Sequence, residues 1–95
     1  SMVFDSDKNI YFADKASHQV KMWNKTTNQI KVIVGTGVEG FGNNCIVGEI
    51  GCALNSPSAV ALNGTTVYIL DFGNLRIASV DLISKRLETY LNASS

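Results

Sequence analysis

Residues 9–24 read NIYFADKASHQVKMWN and residues 66–81 read TVYILDFGNLRIASVD. Laid over one another at an offset of 57, Ile10 meets Val67, Tyr11 meets Tyr68, Asp14 meets Asp71, Val20 meets Ile77 and Asn24 meets Asp81. Both stretches run through an apolar segment, an aspartate, a short loop and a second apolar segment. Self-similarity at a fixed spacing marks repeated structural units. Short runs rich in β-branched and aromatic residues between turn residues read as strands, and the brief loop makes each pair an antiparallel hairpin.

The register continues outward without a gap: Val3 meets Val60, Ile30 meets Leu87 and Val34 meets Leu91. Each copy is therefore predicted to carry four strands, at 2–5, 9–14, 19–24 and 30–35, then at 59–63, 66–71, 76–81 and 86–91. Residues 1–35 form the first unit, 59–95 the second, and 36–58 an insertion between them. No longer segment carries a 3.6-residue period, and only Gly48 to Leu54 suggests a helical turn. The inner runs IYFA and VYIL are apolar at every position, as in strands covered on both faces. The outermost runs alternate: Lys31 interrupts Ile30, Val32 and Val34, and Glu88 interrupts Leu87, Thr89 and Leu91. The expected fold is all-β, two four-stranded antiparallel blades of a β-propeller.

With those features in view, NIYFADKASHQVKMWNKTTNQIKVIVGTGVEGFG, ALNSPSAVAL and TVYILDFGNLRIASVD resemble the NHL repeat, a β-propeller blade family, over nearly the whole chain. Members of that family usually carry Gly where this chain has Lys8 and Asn28, and Asn-His-Arg where it has Ser17-His18-Gln19. Asparagine takes a positive φ in turns readily, lysine less so. The resemblance implies a ring of about six blades. It also implies three kinds of activity: binding and scaffolding of proteins, RNA binding through a basic face, and peptide lyase chemistry through a zinc held by central histidines.

Composition restricts these. Ninety-five residues make a single small domain. Eight basic residues balance eight acidic ones, so no net field draws nucleic acid or an anionic membrane. No run approaches the roughly 18 to 20 apolar residues of a membrane helix, and the N-terminus lacks the regions of a secretion signal. His18 is the only histidine, too few for a zinc site, which takes three or four ligands. No metal or other cofactor is expected.

Two motifs mimic nucleotide sites. Gly35, Gly37 and Gly40 spell G-x-G-x-x-G after a hydrophobic strand, yet a dinucleotide turn needs a helix starting at those glycines. Here further glycines follow at 42, 48 and 51, and no acidic residue stands about 20 positions downstream for a ribose. Asp71-Phe72-Gly73 resembles a kinase triplet, but no lysine lies between Gly40 and Asp71 and no H-R-D loop exists.

Asp14 and Asp71 end the second strand of each copy and are expected to accept backbone N–H bonds within their own loops. Because antiparallel strands reverse at every turn, these loops share one edge with the insertion. Lys15, His18, Phe72, Asn74, Leu75 and Arg76 form the expected binding face there, for a protein or other ligand, with catalytic residues absent. Cys45 and Cys52 can bridge in an oxidising compartment. Asn24, Asn63 and Asn92 each open an N-x-[ST] sequon, the first two at turns opposite that face. Cysteines and sequons together favour an extracellular setting. Two blades cannot close a ring, so further blades are expected from a longer parent chain or from homo-oligomerisation.

Overall fold

In the computed structural model, which describes residues 1–92, the chain forms two antiparallel sheets. The first contains β1 (Met2–Phe4), β2 (Ile10–Asp14), β3 (Gln19–Asn24) and β4 (Gln29–Val34), paired in sequence order. The second contains β6 (Pro57–Asn63), β7 (Thr66–Asp71), β8 (Arg76–Asp81) and β9 (Arg86–Asn92), again in order. The two-residue strand β5 (Cys45–Ile46) adds a fifth member outside β9, which the sequence pattern did not indicate. Residues 48–51 form turns and 52–54 continue without regular structure, so no helix forms there; the helical turns are instead single 3₁₀ turns at Lys15–Ser17 and Phe72–Asn74.

The offset of 57 holds in fine detail from β2 and β7 onward. Both 3₁₀ turns obey it, as do the left-handed residues closing them, His18 at φ 58° and Leu75 at φ 51°. The outer hairpins match too. Asn24 Oδ1 accepts the N–H groups of Thr26 and Thr27, Asp81 Oδ1 accepts those of Ile83 and Ser84, and Asn28 and Lys85 both take positive φ. Even the β-bulges coincide, between Val20 and Lys21 and between Ile77 and Ala78. Such bulges accentuate local twist, giving the two sheets the same curl.

The innermost strands depart from that offset. Val3 faces Tyr11, whereas Ala61 and not Val60 faces Tyr68, so β1 and β6 correspond with a shift of one further residue. The cause is turn length. The first hairpin closes through Asp5 to Asn9, held by the Asp5 carboxylate accepting the N–H groups of Asp7 and Asn9, while the second turns tightly at Gly64-Thr65. Lys8 adopts φ 70° there, the conformation glycine would take more easily.

The core lies between the sheets. Tyr11, Val20, Met22, Ile33 and Val34 of the first meet Val60, Val67, Ile69, Ala78, Val80 and Leu87 of the second, and Cys52 and Leu54 from the insertion join the same cluster. Strand β6 packs on β1 and β2. Each fully buried Val, Ile or Leu here contributes about 1.5–3 kcal/mol.

Candidate functional site

The edge carrying both 3₁₀ turns is built around Asp71, which is wholly buried. Its Oδ1 accepts the backbone N–H of Asn55 at 2.7 Å. Its Oδ2 accepts Asn74 Nδ2 and Arg76 Nε, each at 2.8 Å. Arg76 continues the network by donating from Nη1 to Thr89 Oγ1 at 2.8 Å, and Phe41 lays its ring 4.3 Å from the guanidinium carbon. Arg76 Nη2 is buried without a partner among the described residues. An ion pair withdrawn from water is tolerable only when its other polar groups find partners, and here every side-chain nitrogen and oxygen of the pair except Arg76 Nη2 has one.

These contacts correct two expectations. Arg76 is not at a contact surface: with 1% of its area exposed, it holds the loop from beneath. Asp71 takes its backbone N–H from Asn55 in the insertion, not from its own loop. Asp14 departs further. It takes the Lys21 ammonium at 2.6 Å, near the surface. Hydrogen bonds from Lys21 and then Ser17 hold its carboxyl below the usual carboxylate range. The exchange follows from the sequence, because Gln19 stands where the second copy has Arg76, and the cation moves two positions along β3.

The insertion clamps the two loops together. Asn74 Nδ2 also donates to Gly40 O at 2.8 Å, and Gly73 N donates to Asn55 O at 2.8 Å. A side chain at Gly73 would place Cβ 2.7 Å from the backbone oxygen of Asn55 and against its side chain, so the close approach requires glycine. Ser56 N donates to His18 Nδ1 at 3.0 Å, which occupies that nitrogen's lone pair and ties the first loop to the start of β6. Lys15 Nζ stands 5.9 Å from the centre of the Phe72 ring, so the two loops touch at their tips.

Of the expected contact residues, Lys15, Phe72 and Leu75 are therefore exposed and adjacent. His18 and Asn74 are half-buried and act as struts. Phe72 and Leu75 are 55% and 63% exposed. Behind them lies a cleft of about 370 Å³, with Leu70, Ile77 and Leu91 in its wall. The contributions of Phe41, Asn55 and Thr89 were not foreseen, although Phe41 and Asn55 lie in stretches that carry the resemblance, GTGVEGF and LNSP.

Cys45 and Cys52 are joined in a disulfide, with Cα atoms 5.7 Å apart, pinning β5 to the core end of the insertion. Asn24 and Asn63 open the turns at the opposite edge of the sheets. The sequon at Asn92 continues into residues 93 and 94, outside the described residues. Among the described residues no three His, Cys, Asp or Glu side chains gather as a metal site. The chain matches no protein-family model and no curated protein.

Proposed function

We propose that the chain is a non-catalytic recognition module made of two NHL-type propeller blades, and that its loop edge takes a protein partner through Phe72 and Leu75, with Lys15 alongside. The observation carrying this reading is that two large apolar side chains stand in solvent on a loop with little freedom to move. Its carboxylate, amide and guanidinium are tied down, Leu75 holds a left-handed conformation closed by its N–H to Phe72 O, and Gly73 abuts Asn55. A loop whose backbone is already held in place loses less entropy on contact, which favours binding through the apolar side chains it presents.

The blade reading is supported by the repeated turn, bulge and left-handed positions in both sheets. The enzyme alternative draws nothing from His18, whose Nδ1 is engaged by Ser56. Balanced charge gives RNA binding no special support.

Selection of a displayed random-peptide library on the folded, oxidised protein tests the proposal. Enriched peptides are expected to bind the native chain and to lose at least about ten-fold in affinity on a Phe72→Ala, Leu75→Ser double variant, the scale of one or two hot-spot contacts. Peptides indifferent to those changes would place recognition elsewhere.

A further inference from the structure

The face of the first sheet that packs on the second is formed by Tyr11, Val20, Met22, Ile33 and Val34, each at most 6% exposed. Their counterparts 57 residues on are Tyr68, Ile77, Ser79, Tyr90 and Leu91, on the outward face of the second sheet. That face is open to solvent, with Leu70 at 41%, Tyr90 at 63% and Leu91 at 54% exposure.

The converse also holds. Val67, Ile69, Val80 and Leu87 of the second sheet are buried against the first, and their counterparts are Ile10, Phe12, Trp23 and Ile30. These lie on the outward face of the first sheet, with Met2, Phe4 and Val32; Ile30 is 60% exposed and Val32 44%. The molecule thus displays, on opposite flanks, equivalents of the two surfaces that it joins in its own core.

From this equivalence we infer that a second copy of the chain docks head to tail, the outward face of its first sheet covering the outward face of the second sheet, repeating the intramolecular sheet packing. The contact is heterologous, using different patches on each copy, and such contacts propagate until the rotation closes a ring. Closure at about four to eight sheets corresponds to two to four copies. The single charged group near the middle of the first patch, Lys21, carries its counter-ion with it in Asp14, 2.6 Å away.

The inference goes beyond the loop-edge reading and is compatible with it. Phe72 corresponds to Lys15, which stays exposed although its sheet is covered, whereas Leu75 corresponds to His18, which is half-buried. A docked copy therefore leaves Phe72 accessible and partly shields Leu75.

Light scattering of the oxidised protein over a concentration series, on native chain and on Val32→Asp and Leu91→Asp variants, decides the matter. Both positions are exposed in the single chain, and circular dichroism checks that each variant keeps its fold. The native chain is expected to form one closed species, near three times 10.2 kDa for a six-sheet ring. Each variant alone is expected to stop short of it, and an equimolar mixture to give a one-to-one dimer through the two unaltered faces. A native chain that stays monomeric to millimolar concentration would overturn the inference. So would either variant retaining the native mass, since a self-complementary contact needs only one of the faces. A ring that binds no selected peptide would leave this inference standing and remove the loop-edge reading; a monomer that binds one would do the reverse.

Discussion

Asp71 and Arg76 face one another across the end of the β7–β8 hairpin with 2.8 Å between Oδ2 and Nε and neither side chain exposed, while the repeat-equivalent Asp14 pairs with Lys21 at the surface. One slot in the repeat thus carries two solutions with different energetic standing. Removing one member of a buried pair strands the other charge, at about 3–5 kcal/mol, whereas a surface pair contributes about 0–1 kcal/mol. Arg76→Ala is expected to lower the urea midpoint severely or prevent folding, and Lys21→Ala to shift it little. Arg76→Lys should fall between, because a lysine keeps the charge but cannot also reach Thr89 and stack on Phe41. Equal effects for Arg76→Ala and Lys21→Ala would contradict this ranking.

Acid should weaken the fold through two identifiable carboxylates. At Asp5 burial pushes the carboxyl up, but bonds from Asn9, Asp7 and Tyr11 together outweigh it, leaving the group below its ordinary value of 3.8; Asp14 is lowered by Lys21 and Ser17. A carboxyl lowered in the folded state stabilises fully above its unfolded value and loses that contribution as pH falls through the folded one. Unfolding free energy from these groups is therefore expected to be flat from neutrality to about pH 4 and to decline below it. An Asp5→Asn, Asp14→Asn double variant should show a shallower decline; an unchanged slope would mean that other groups set the acid limit.

The disulfide should matter more than its short span suggests. Closing a loop of this size restricts the unfolded chain by about 2–3 kcal/mol. Cys52 is also 1% exposed and belongs to the core cluster, so Cys52→Ala adds a small cavity to the lost cross-link. Cys45→Ser, at a half-buried position, isolates the cross-link alone. Denaturant curves for both, with and without reductant, should place Cys52→Ala lower than Cys45→Ser, and reductant should shift only the native chain.

Lys8 offers a stabilising change. A left-handed backbone costs a side-chain-bearing residue about 1–2 kcal/mol, part of which glycine recovers despite its greater unfolded-state freedom. With φ 70° at Lys8, a Lys8→Gly variant should raise the melting temperature, by about 0.5–1 kcal/mol in stability. Gly73→Ala should do the opposite, since its Cβ would sit 2.7 Å from the backbone oxygen of Asn55. A loss on Lys8→Gly would show that the lysine side chain makes a compensating contact.

The strands were legible because the properties that define them are local. Runs such as Thr66 to Asp71 pack apolar residues between turn-formers, and comparison of two copies fixed their limits to within a residue or two. Three features were not local. Strand β5 has only Cys45 and Ile46, and it exists because the edge of β9 offers it partners at Leu87 and Arg86. The displaced register of β1 against β6 depends on hairpin length, which ungapped alignment cannot register. Arg76 read as a surface residue because its burial rests on Phe41 and Thr89, far away in the chain and unremarkable alone. At the loop edge, Phe72 and Leu75 were picked out as aromatic and apolar residues on a loop, and both are exposed; Gly40 and Asn55, which help to hold that loop, lie in the insertion and gave no local sign of doing so.

Strand β5 also separates two of the four sheet rims by how open they are to foreign backbone. A terminal strand with free amides and carbonyls is a template for amyloid-like growth, and charges along it act as gatekeepers. In the second sheet β5 already lies against β9 over Arg86 and Leu87, held there by a covalent link to Cys52. In the first sheet β4 ends the ladder without such a cover among the described residues, and Lys31 stands midway along it between Ile30 and Val32. Reduction of the disulfide is therefore expected to loosen the cover on one rim, and Lys31→Ala to remove the charge from the other, each raising the rate of fibril nucleation read by thioflavin fluorescence.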